Sequence, residues 1–297
     1  MSDSKSNFFQ NEFFLLNYLL KEQIFNYKSV PLIISIDEVG RGCVAGSVVS
    51  CVSLWADLSA FQNSLSKNYK KHWLHLINDS KKLTEKKRQE CFDIILRDYE
   101  ITFQEIICGK NNNIESFQAL SESKNKLHFK AEEFSTENIP KYKSNLECLQ
   151  FIIGQASPLE IDTLNIWNAV QLSVGRALIE LQKYVKNNFP FLTDHLSNAL
   201  ILMDGKHFLK VPQDFSQNLQ VTVTKADGIF VSVGLSSIIA KVFRDTQMIQ
   251  QDKKFPLFGF AKHKGYGTAS HLNLIQSHGI CEIHRKSFLA NHLHSNL

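Results

Sequence analysis

The chain is poor in the residues that mark several common protein classes. It has only 13 Gly and 6 Pro in 297 residues, which excludes collagen-like and low-complexity chains and leaves no flexible linker between two domains. Its six cysteines stand far apart and form no C-x-x-C pair, which excludes the common zinc and redox motifs and is typical of reduced thiols. H-E-x-x-H and G-x-S-x-G motifs are missing as well.

Long apolar runs are also missing. The first 23 residues contain apolar side chains, but Asn11, Glu12 and Asn17 interrupt them well short of a membrane span, and no basic head precedes them. The pattern predicts an amphipathic helix, packed on the core, within an extension over residues 1–30. We therefore expect a cytoplasmic chain without membrane attachment.

Neither sign of charge dominates the composition. A net charge of +4 permits an anionic partner such as nucleic acid without requiring one. With 43% apolar and 21% charged residues the chain has an ordinary globular composition. Its length allows one large domain, which we assign to residues 31–297, with a polar surface insertion or mobile loop at 110–147.

Apolar patterning predicts an α/β fold. A helix capped by Thr84 and a long helix from Asp162 onward show apolar residues at steps of three and four. Short runs rich in Val, Ile and Leu predict the strands, and a second long apolar pattern predicts a further helix. The predicted strands are 32–36, 47–54, 101–107, 199–204 and 221–224, and the further helix is 236–250.

Acidic residues stand where predicted strands end. Asp37 and Glu38 close the first strand, Asp204 closes "LILMD", and Asp227 follows "VTVT". Ligands gather beyond strand ends in an open sheet, and four converging carboxylates favour a divalent cation, Mg²⁺ or Mn²⁺. Taken singly, each acid is more simply a strand-end cap or a solvated turn residue. Side-chain alternation would also separate Asp37 from Glu38 unless the strand ends or bulges between them.

Two loops are suited to contact a sugar-phosphate chain. Gly40 and Gly42 would let the backbone approach a sugar hydroxyl or phosphate, with Arg41 as a charged fork, although a glycine pair also marks a simple turn. Basic clusters at 78–88 and 261–267 are most simply solvated faces. Tyr266, between two glycines of the second cluster, would stack on a sugar or base or else anchor the loop.

Eight motifs in order resemble the ribonuclease HII family, the type 2 ribonucleases H. They are DEVGRG at 37–42, NDSKKL at 78–83, EIDTLNI at 160–166, LMDGK at 202–206, KAD at 225–227, SSIIAKVFRD at 236–245, GFAKHKGYGT at 259–268 and HRKSF at 284–288. The resemblance implies an RNase H-like fold, a mixed five-stranded sheet flanked by helices with a helical C-terminal part.

The resemblance also implies an activity and partners. The family cleaves the RNA strand of RNA-DNA hybrids and incises 5′ to ribonucleotides embedded in duplex DNA, leaving a 3′-hydroxyl and a 5′-phosphate. The implied cofactor is Mn²⁺ or Mg²⁺, with two ions in catalysis. The partners are the hybrid and ribonucleotide-containing DNA, the chain is expected to be monomeric, and the implied setting is ribonucleotide excision repair and DNA replication.

Individual roles carry over onto the matching positions. Asp37, Glu38, Asp204 and Asp227 resemble the catalytic carboxylates; the first three are the expected metal ligands, and Asp227 would act more through positioning or metal exchange. Gly40, Arg41 and Gly42 resemble the loop that senses the ribose 2′-hydroxyl, and Tyr266 the tyrosine that packs on the neighbouring deoxyribose. Lys81 and Lys82 resemble phosphate-contacting lysines.

Two single positions and one four-residue stretch depart from the family pattern. Cys43 stands where proline is usual, Lys206 where asparagine is frequent, and residues 233–236 replace the usual Ser-Ala run before "SIIAKV". These departures keep open a catalytically impaired hybrid-binding protein and a structural interaction protein. A ribonuclease HIII-like enzyme also stays open, but its loop differs from this GRG and it carries a separate N-terminal substrate-binding domain.

Overall fold

A computed structural model describes residues 10–24, 32–57, 77, 83–103, 106, 108–109, 119–134 and 146–293. Within these ranges the α-helices are α1 (Gln10–Lys21), α2 (Glu85–Asp98), α3 (Pro158–Leu164), α4 (Ile166–Asn188), α5 (Thr193–Leu196), α6 (Val231–Lys254), α7 (Phe260–His263), α8 (Ala269–His278) and α9 (Lys286–Leu293). The strands are β1 (Leu32–Val39), β2 (Val48–Asp57), β3 (Cys108–Gly109), β4 (Leu120–Glu122), β5 (Asn125–Phe129), β6 (Leu146–Ala156), β7 (Leu200–Asp204), β8 (Lys210–Pro212) and β9 (Leu219–Val223).

The main sheet has the order β3-β6-β2-β1-β7-β9-β5. Its five central strands form the mixed sheet that the sequence predicts, because β2 is antiparallel to β1 and β6, whereas β1, β7 and β9 run parallel. Two short strands extend it: β3 lies parallel to β6 at one edge and β5 lies parallel to β9 at the other. A separate ribbon pairs β4 with β8.

The prediction of a strand at 101–107 is wrong. Its described residues lie outside any strand, and the third long strand of the sheet is β6, which the sequence did not predict. β6 pairs with β2 and is buried on both faces almost throughout, yet Glu147, Gln150 and Gln155 interrupt its apolar pattern. Gln150 is tolerated there because its side-chain oxygen accepts the Phe151 N–H at 2.9 Å, so burial leaves that oxygen bonded.

The segment 110–147, predicted as a polar surface insertion or mobile loop, contains secondary structure in its described part. Residues 119–134 contribute β4, β5 and a 3-10 turn at Ala131–Phe134, and β5 completes an edge of the main sheet. All the side chains of β5 are exposed or half-exposed. An edge strand of this kind gains its stability from backbone pairing and needs few apolar residues, which explains why the polar composition concealed it.

Helices cover both faces of the sheet. One face packs against α6, α2 and α1, and the other against α4. Along β1, Ile33 and Asp37 point to the α6 side, while Ile34 and Ile36 point to the α4 side, as the two-residue period of a strand requires. No helix among the described residues is both long and apolar enough to cross a membrane.

Two terminal additions complete the described structure. The expected amphipathic helix is present as α1, which buries Leu15, Leu16 and Leu19 on the α6 face. The expected helical C-terminal part consists of α7, α8 and α9, whose apolar residues enclose Ala45 of the loop after β1 in a small core of their own. This core brings residues 258–289 against the loop that follows β1.

Candidate active site

A cleft of about 260 Å³ opens at the ends of β1 and β7. The two strands are parallel neighbours, so their final residues lie side by side at one edge of the sheet. The cleft is lined by Asp37, Glu38, Val39, Arg88, Asp204, Ser237, Lys241 and Tyr266. Four of the residues that the sequence predicts for the site, Asp37, Glu38, Asp204 and Tyr266, are therefore brought together.

The neighbouring acids of β1 reach this cleft without a bulge. Asp37 pairs with Cys51 and Glu38 with Ser50 in an uninterrupted antiparallel ladder. Alternation sends Asp37 to the α6 side and Glu38 toward α4, and the strand ends one residue later at Val39. Both carboxylates line one cleft because it lies beyond the end of the sheet and is open to both faces.

Asp37 is the most strongly perturbed acid of the cleft. Its side chain is only 8% exposed. Burial is the largest cause that raises its pKa well above the usual range, and the negative charges of Glu38, Asp204 and Asp227 raise it further. A hydrogen bond with Ser237 of α6 acts in the opposite direction. The other three predicted acids thus all act on Asp37 through their charge.

Glu38 is held in a partly compensated environment. Burial raises its pKa, whereas the guanidinium of Arg41 lowers it through an ion pair of 3.1 Å between Nη1 and Oε1. The Arg41 guanidinium also lies over the Trp167 ring of α4, with Cζ 5.4 Å from the ring centroid. Arg41 therefore links Glu38 of β1 to Trp167 of α4. These two contacts fix the direction of the Arg41 side chain.

Asp204 and Asp227 are joined through the backbone. An Asp204 Oδ1 atom accepts the Ala226 N–H at 2.8 Å, which ties the end of β7 to the short 3-10 turn Ala226–Gly228. Asp227 lies in that turn, is nearly buried, and is not among the residues that line the cleft. Its described effect on the site is electrostatic, through the pKa of Asp37.

The two glycines of the GRG loop differ in their surroundings. Gly40 has φ +92°, and a Cβ there would collide with the Arg244 side chain, whose Cδ atom would lie 2.8 Å away. Gly42 has an ordinary φ, and a Cβ there would meet nothing within 4 Å. The fold therefore requires glycine at position 40, whereas the described structure gives no steric reason for glycine at position 42.

Two fully buried arginines hold the backbone of this loop. Arg244 of α6 donates to the carbonyls of Ser47, Ala45 and Lys264 at 3.1, 3.0 and 2.8 Å. Arg285 donates to the carbonyls of Gly46 and Arg41 at 2.9 and 3.1 Å. Burial lowers the pKa of Arg285 to about 10, which leaves it charged at neutral pH. Charge-assisted bonds to four of its carbonyls therefore fix the loop that carries residues 40–42, and the bond to Lys264 ties it to the segment after α7.

Tyr266 faces the cleft from the loop between α7 and α8. Its side chain is 41% exposed, and the Lys241 ammonium lies 5.8 Å from the centroid of its ring. Its backbone forms an isolated antiparallel bridge with Cys43, and Val44 donates to Gly265 at 2.9 Å. Cys43 is completely buried. Cys43, which stands where the family usually has proline, thus joins the loop of residues 40–42 to the loop of Tyr266.

The unusual residues 233–236 do not disturb the start of α6. A Cβ at Gly234 would lie 3.0 Å from the Asp227 carbonyl, so glycine allows the helix to approach the turn of Asp227 closely. Ser236 is buried, where its hydroxyl bonds the Ser53 hydroxyl at 2.8 Å and the Ser35 carbonyl at 3.1 Å. The helix begins at Val231 and packs on β1 and β2, and Ser237 projects into the cleft.

Besides Val39, three polar residues line the cleft for which the sequence predicted no individual role. Arg88 belongs to the basic cluster that precedes and enters α2, and Ser237 and Lys241 belong to a recognised motif. The available signal was helical spacing, because residues four apart lie on one face of α6. Lys81 and Lys82, the predicted phosphate contacts, lie outside the described residues.

The donor chemistry of the cleft fits a hard divalent cation. Asp37, Glu38 and Asp204 offer carboxylate oxygens alone, and the mutual repulsion that raises the pKa of Asp37 would be relieved by a bound cation. No group of three or more His, Cys, Asp or Glu side chains in the described ranges is already arranged to hold an ion. The structure therefore supports a shared cleft and a shared electrostatic field, while the ligand set stays a prediction.

Comparisons with known proteins agree with the motifs. The family profile of ribonuclease HII matches residues 34–145 and 160–291. The chain is 33% identical to a ribonuclease HII of Shewanella oneidensis over 263 residues, 88% of each chain. It is 32% identical to one of Vibrio cholerae over 257 residues, 86% of each chain. Among solved structures it resembles the ribonuclease H2 of Pyrococcus horikoshii, with a TM-score of 0.48, 18% identity, and coverage of 89% of this chain and 98% of that one.

A mixed sheet with helices on both faces and carboxylates at the ends of its central strands defines an RNase H-like protein. Within that class the chain belongs to the ribonuclease HII family. Members of the family are divalent-metal-dependent endonucleases with ribonuclease H activity on RNA-DNA hybrids. The resemblance that the motifs indicated is confirmed.

Proposed function

We propose that this chain cleaves the RNA strand of RNA-DNA hybrids and also incises on the 5′ side of single ribonucleotides embedded in duplex DNA, leaving a 3′-hydroxyl and a 5′-phosphate. The observation that carries the proposal is one cleft in which Asp37, Glu38 and Asp204 lie beside Tyr266 and the GRG loop. Chemistry and recognition of the 2′-hydroxyl would then occur at neighbouring points of the same substrate.

The acids of the cleft would hold two divalent cations, Mg²⁺ or Mn²⁺. The chemistry that these ions supply when bound is activation of the attacking water and neutralisation of the leaving 3′-oxygen. Asp37, Glu38 and Asp204 would all provide carboxylate oxygens to these ions. Asp227 would act from behind the cleft, where its charge strengthens the field at Asp37 and its turn positions Asp204 through the Ala226 N–H.

The ribose of the substrate would be recognised where the loop of residues 40–42 borders the cleft. Gly42, with open space around its Cα, would allow the loop backbone to approach the ribose closely enough to bond its 2′-hydroxyl. Tyr266 would pack on the next deoxyribose, and Arg88 and Lys241 would face the phosphates that flank the cleavage point. The chain would act as a monomer in ribonucleotide excision repair and DNA replication.

The test compares two substrates in parallel, in Mg²⁺ and in Mn²⁺. One is a DNA duplex with a single ribonucleotide, and the other is a continuous RNA-DNA hybrid. We expect both to be cut, with Asp37→Asn reducing cleavage by at least about a thousandfold because a ligand and its charge are lost. Asp194→Asn is the matched control, because Asp194 is an exposed acid on α5 and should leave cleavage unchanged.

The outcomes separate the open alternatives. Cleavage of the continuous hybrid alone would contradict the recognition role of residues 40–42. Undiminished turnover by Asp37→Asn would contradict the assignment of the acids. Tight binding of the hybrid without any cleavage by the wild-type protein would instead favour a catalytically impaired hybrid-binding protein.

A further inference from the structure

Three histidines form a continuous cluster behind Tyr266. The rings of His263 and His271 stack with centroids 4.1 Å apart and an angle of 17° between their planes. His271 Nε2 lies 3.0 Å from His284 Nε2, and His271 Nδ1 lies 2.9 Å from the Tyr266 carbonyl oxygen. His271 and His284 are almost completely buried. None of these histidines lines the cleft.

The hydrogen positions in this cluster follow from its backbone partners. The Cys281 N–H donates to His284 Nδ1 at 2.9 Å, so in the neutral ring the proton of His284 is on Nε2. That N–H points at His271 Nε2, which must accept it. The proton of His271 is then on Nδ1, from which it donates to the Tyr266 carbonyl. The bonds run in one direction, from Cys281 through His284 and His271 to Tyr266.

The surroundings keep the pair neutral. Burial lowers the pKa of His271, and burial together with the His271 charge lowers the pKa of His284 to about 4. The titratable groups that face the pair are His263, stacked on His271, and the Cys281 thiol, 3.1 Å from His284 Nδ1. His263 is oriented by its own bonds, because Nδ1 accepts the Gly265 N–H and Nε2 donates to the Phe258 carbonyl.

We propose that His271 and His284 are positioning residues that fix the backbone at Tyr266, and thereby the placement of its ring in the cleft, through this one-way chain of hydrogen bonds. The chain links the turn at Cys281, before the buried Arg285, to the loop that bridges Cys43. One short segment, residues 281–285, would then help to hold both the loop of residues 40–42, through Arg285, and the loop of Tyr266, through the histidines. The catalytic consequence rests on the proposed function, whereas the proton positions do not.

The functional test uses a replacement that keeps one bond and a replacement that removes it. In His271→Asn an amide nitrogen can replace Nδ1 as the donor to Tyr266, and in His271→Leu no donor remains. We expect His271→Leu to lower kcat/KM about tenfold, the effect of one lost buried bond, and His271→Asn to recover most of it. His278→Leu, at an exposed histidine of the same helix, should change nothing.

A double-mutant cycle distinguishes positioning from general loss of structure. If the pair acts through Tyr266, His271→Leu should have no further effect on kcat/KM in a Tyr266→Ala background, although it still lowers the melting temperature. A further tenfold loss in that background would overturn the proposal, because it would show that the histidines act elsewhere.

The proton positions are tested without any activity. Nitrogen-15 NMR of the imidazole rings in the full chain, read at pH 7.5 with His271→Asn and His284→Gln for assignment, should show His271 protonated on Nδ1 and His284 on Nε2. The reverse tautomers, or doubly protonated rings, would overturn the proposal. If the wild-type protein fails to cut either substrate while these tautomers are observed, the proposed function fails and the hydrogen-bond chain stands.

Discussion

Gly40 and Gly42 show how neighbouring residues of one type can serve different ends. Gly40 has a positive φ, and the Arg244 side chain fills the space where a Cβ would lie. Glycine at this position is therefore required for folding. Gly42 has an ordinary φ and open space, so nothing in the described structure demands the absence of a side chain. The sequence alone could not separate the two, because the difference depends on the buried arginine 204 positions further along the chain.

The two glycines therefore give a matched pair of substitutions. Gly42→Ala should leave the melting temperature nearly unchanged and lower cleavage at an embedded ribonucleotide roughly tenfold or more, because the added methyl group occupies the path of the ribose. Gly40→Ala should destabilise the protein by roughly 1 to 3 kcal/mol through strain and the clash with Arg244. Thermal unfolding and cleavage assays of both variants check this. Full activity of Gly42→Ala would contradict the close-approach role.

At the scale of elements, α6 is the helix on which the site depends. It presents Ser237 and Lys241 to the cleft, and Arg244 to the loop after β1. Its first turn has no capping side chain of its own, because Phe230 stands at the N-cap. Glu12 of α1 substitutes for a local cap: its Oε1 atom accepts the Ser232 N–H at 2.9 Å.

Replacing Arg244 by lysine tests the connection between α6 and the loop. Lysine keeps the charge but cannot donate to Ser47, Ala45 and Lys264 with the fork of a guanidinium. We expect a loss of roughly 2 to 4 kcal/mol in the free energy of unfolding, since buried carbonyls lose their donors. Urea unfolding measures it, with the exposed Arg97→Lys of α2 as the control. Equal stability of the two variants would count against the clamp.

Glu12 gives the contact between α1 and α6 a dependence on pH. Burial raises its pKa from 4.5 to about 7. A carboxyl with a raised folded pKa binds its proton more tightly in the folded state, so its contribution to stability is complete below pH 4.5 and lost as pH rises through 7. The wild-type protein should therefore lose free energy of unfolding over this interval, on the order of 3 kcal/mol from this group.

Glu12→Gln should flatten that part of the stability profile. Urea unfolding at pH 5 and pH 7.5 measures the difference, and the raised pKa values of Asp37 and Glu38 contribute equally to both proteins. The control is Glu22→Gln at an exposed residue after α1. An identical slope in wild type and Glu12→Gln would show that Glu12 is ionised in both folded and unfolded states.

At the scale of the whole molecule, the carboxylates at the cleft repel one another, and a bound cation would reduce that repulsion. Mn²⁺ at about a hundred times its dissociation constant should raise the free energy of unfolding by about 2.7 kcal/mol. Asp37→Asn should be at least as stable as wild type in EDTA, because a buried like charge is removed, and should gain much less from Mn²⁺. Thermal unfolding with and without the ion checks both. An equal Mn²⁺ response of the two proteins would exclude Asp37 as a ligand.

Much of this architecture could be predicted from local patterns. The strands that end in acids were predicted because apolar runs and carboxylates are adjacent in sequence. β6 was not predicted, because it contains buried glutamine and follows a polar insertion, and β5 was missed because an edge strand needs few apolar residues. Arg244, Arg285 and the histidine pair act only through contacts made by folding, so no local pattern indicated their roles.

The position of Arg285 in the chain has a consequence for biosynthesis. All four acids and both glycines have been translated by residue 227, but the donor that fixes the Gly46 and Arg41 carbonyls arrives only at residue 285. Because a nascent chain emerges from its N-terminus, the strands that carry the acids leave the ribosome well before the arginine that binds these two carbonyls. The contacts of Arg285 with the loop after β1 would thus form late in the synthesis of the chain.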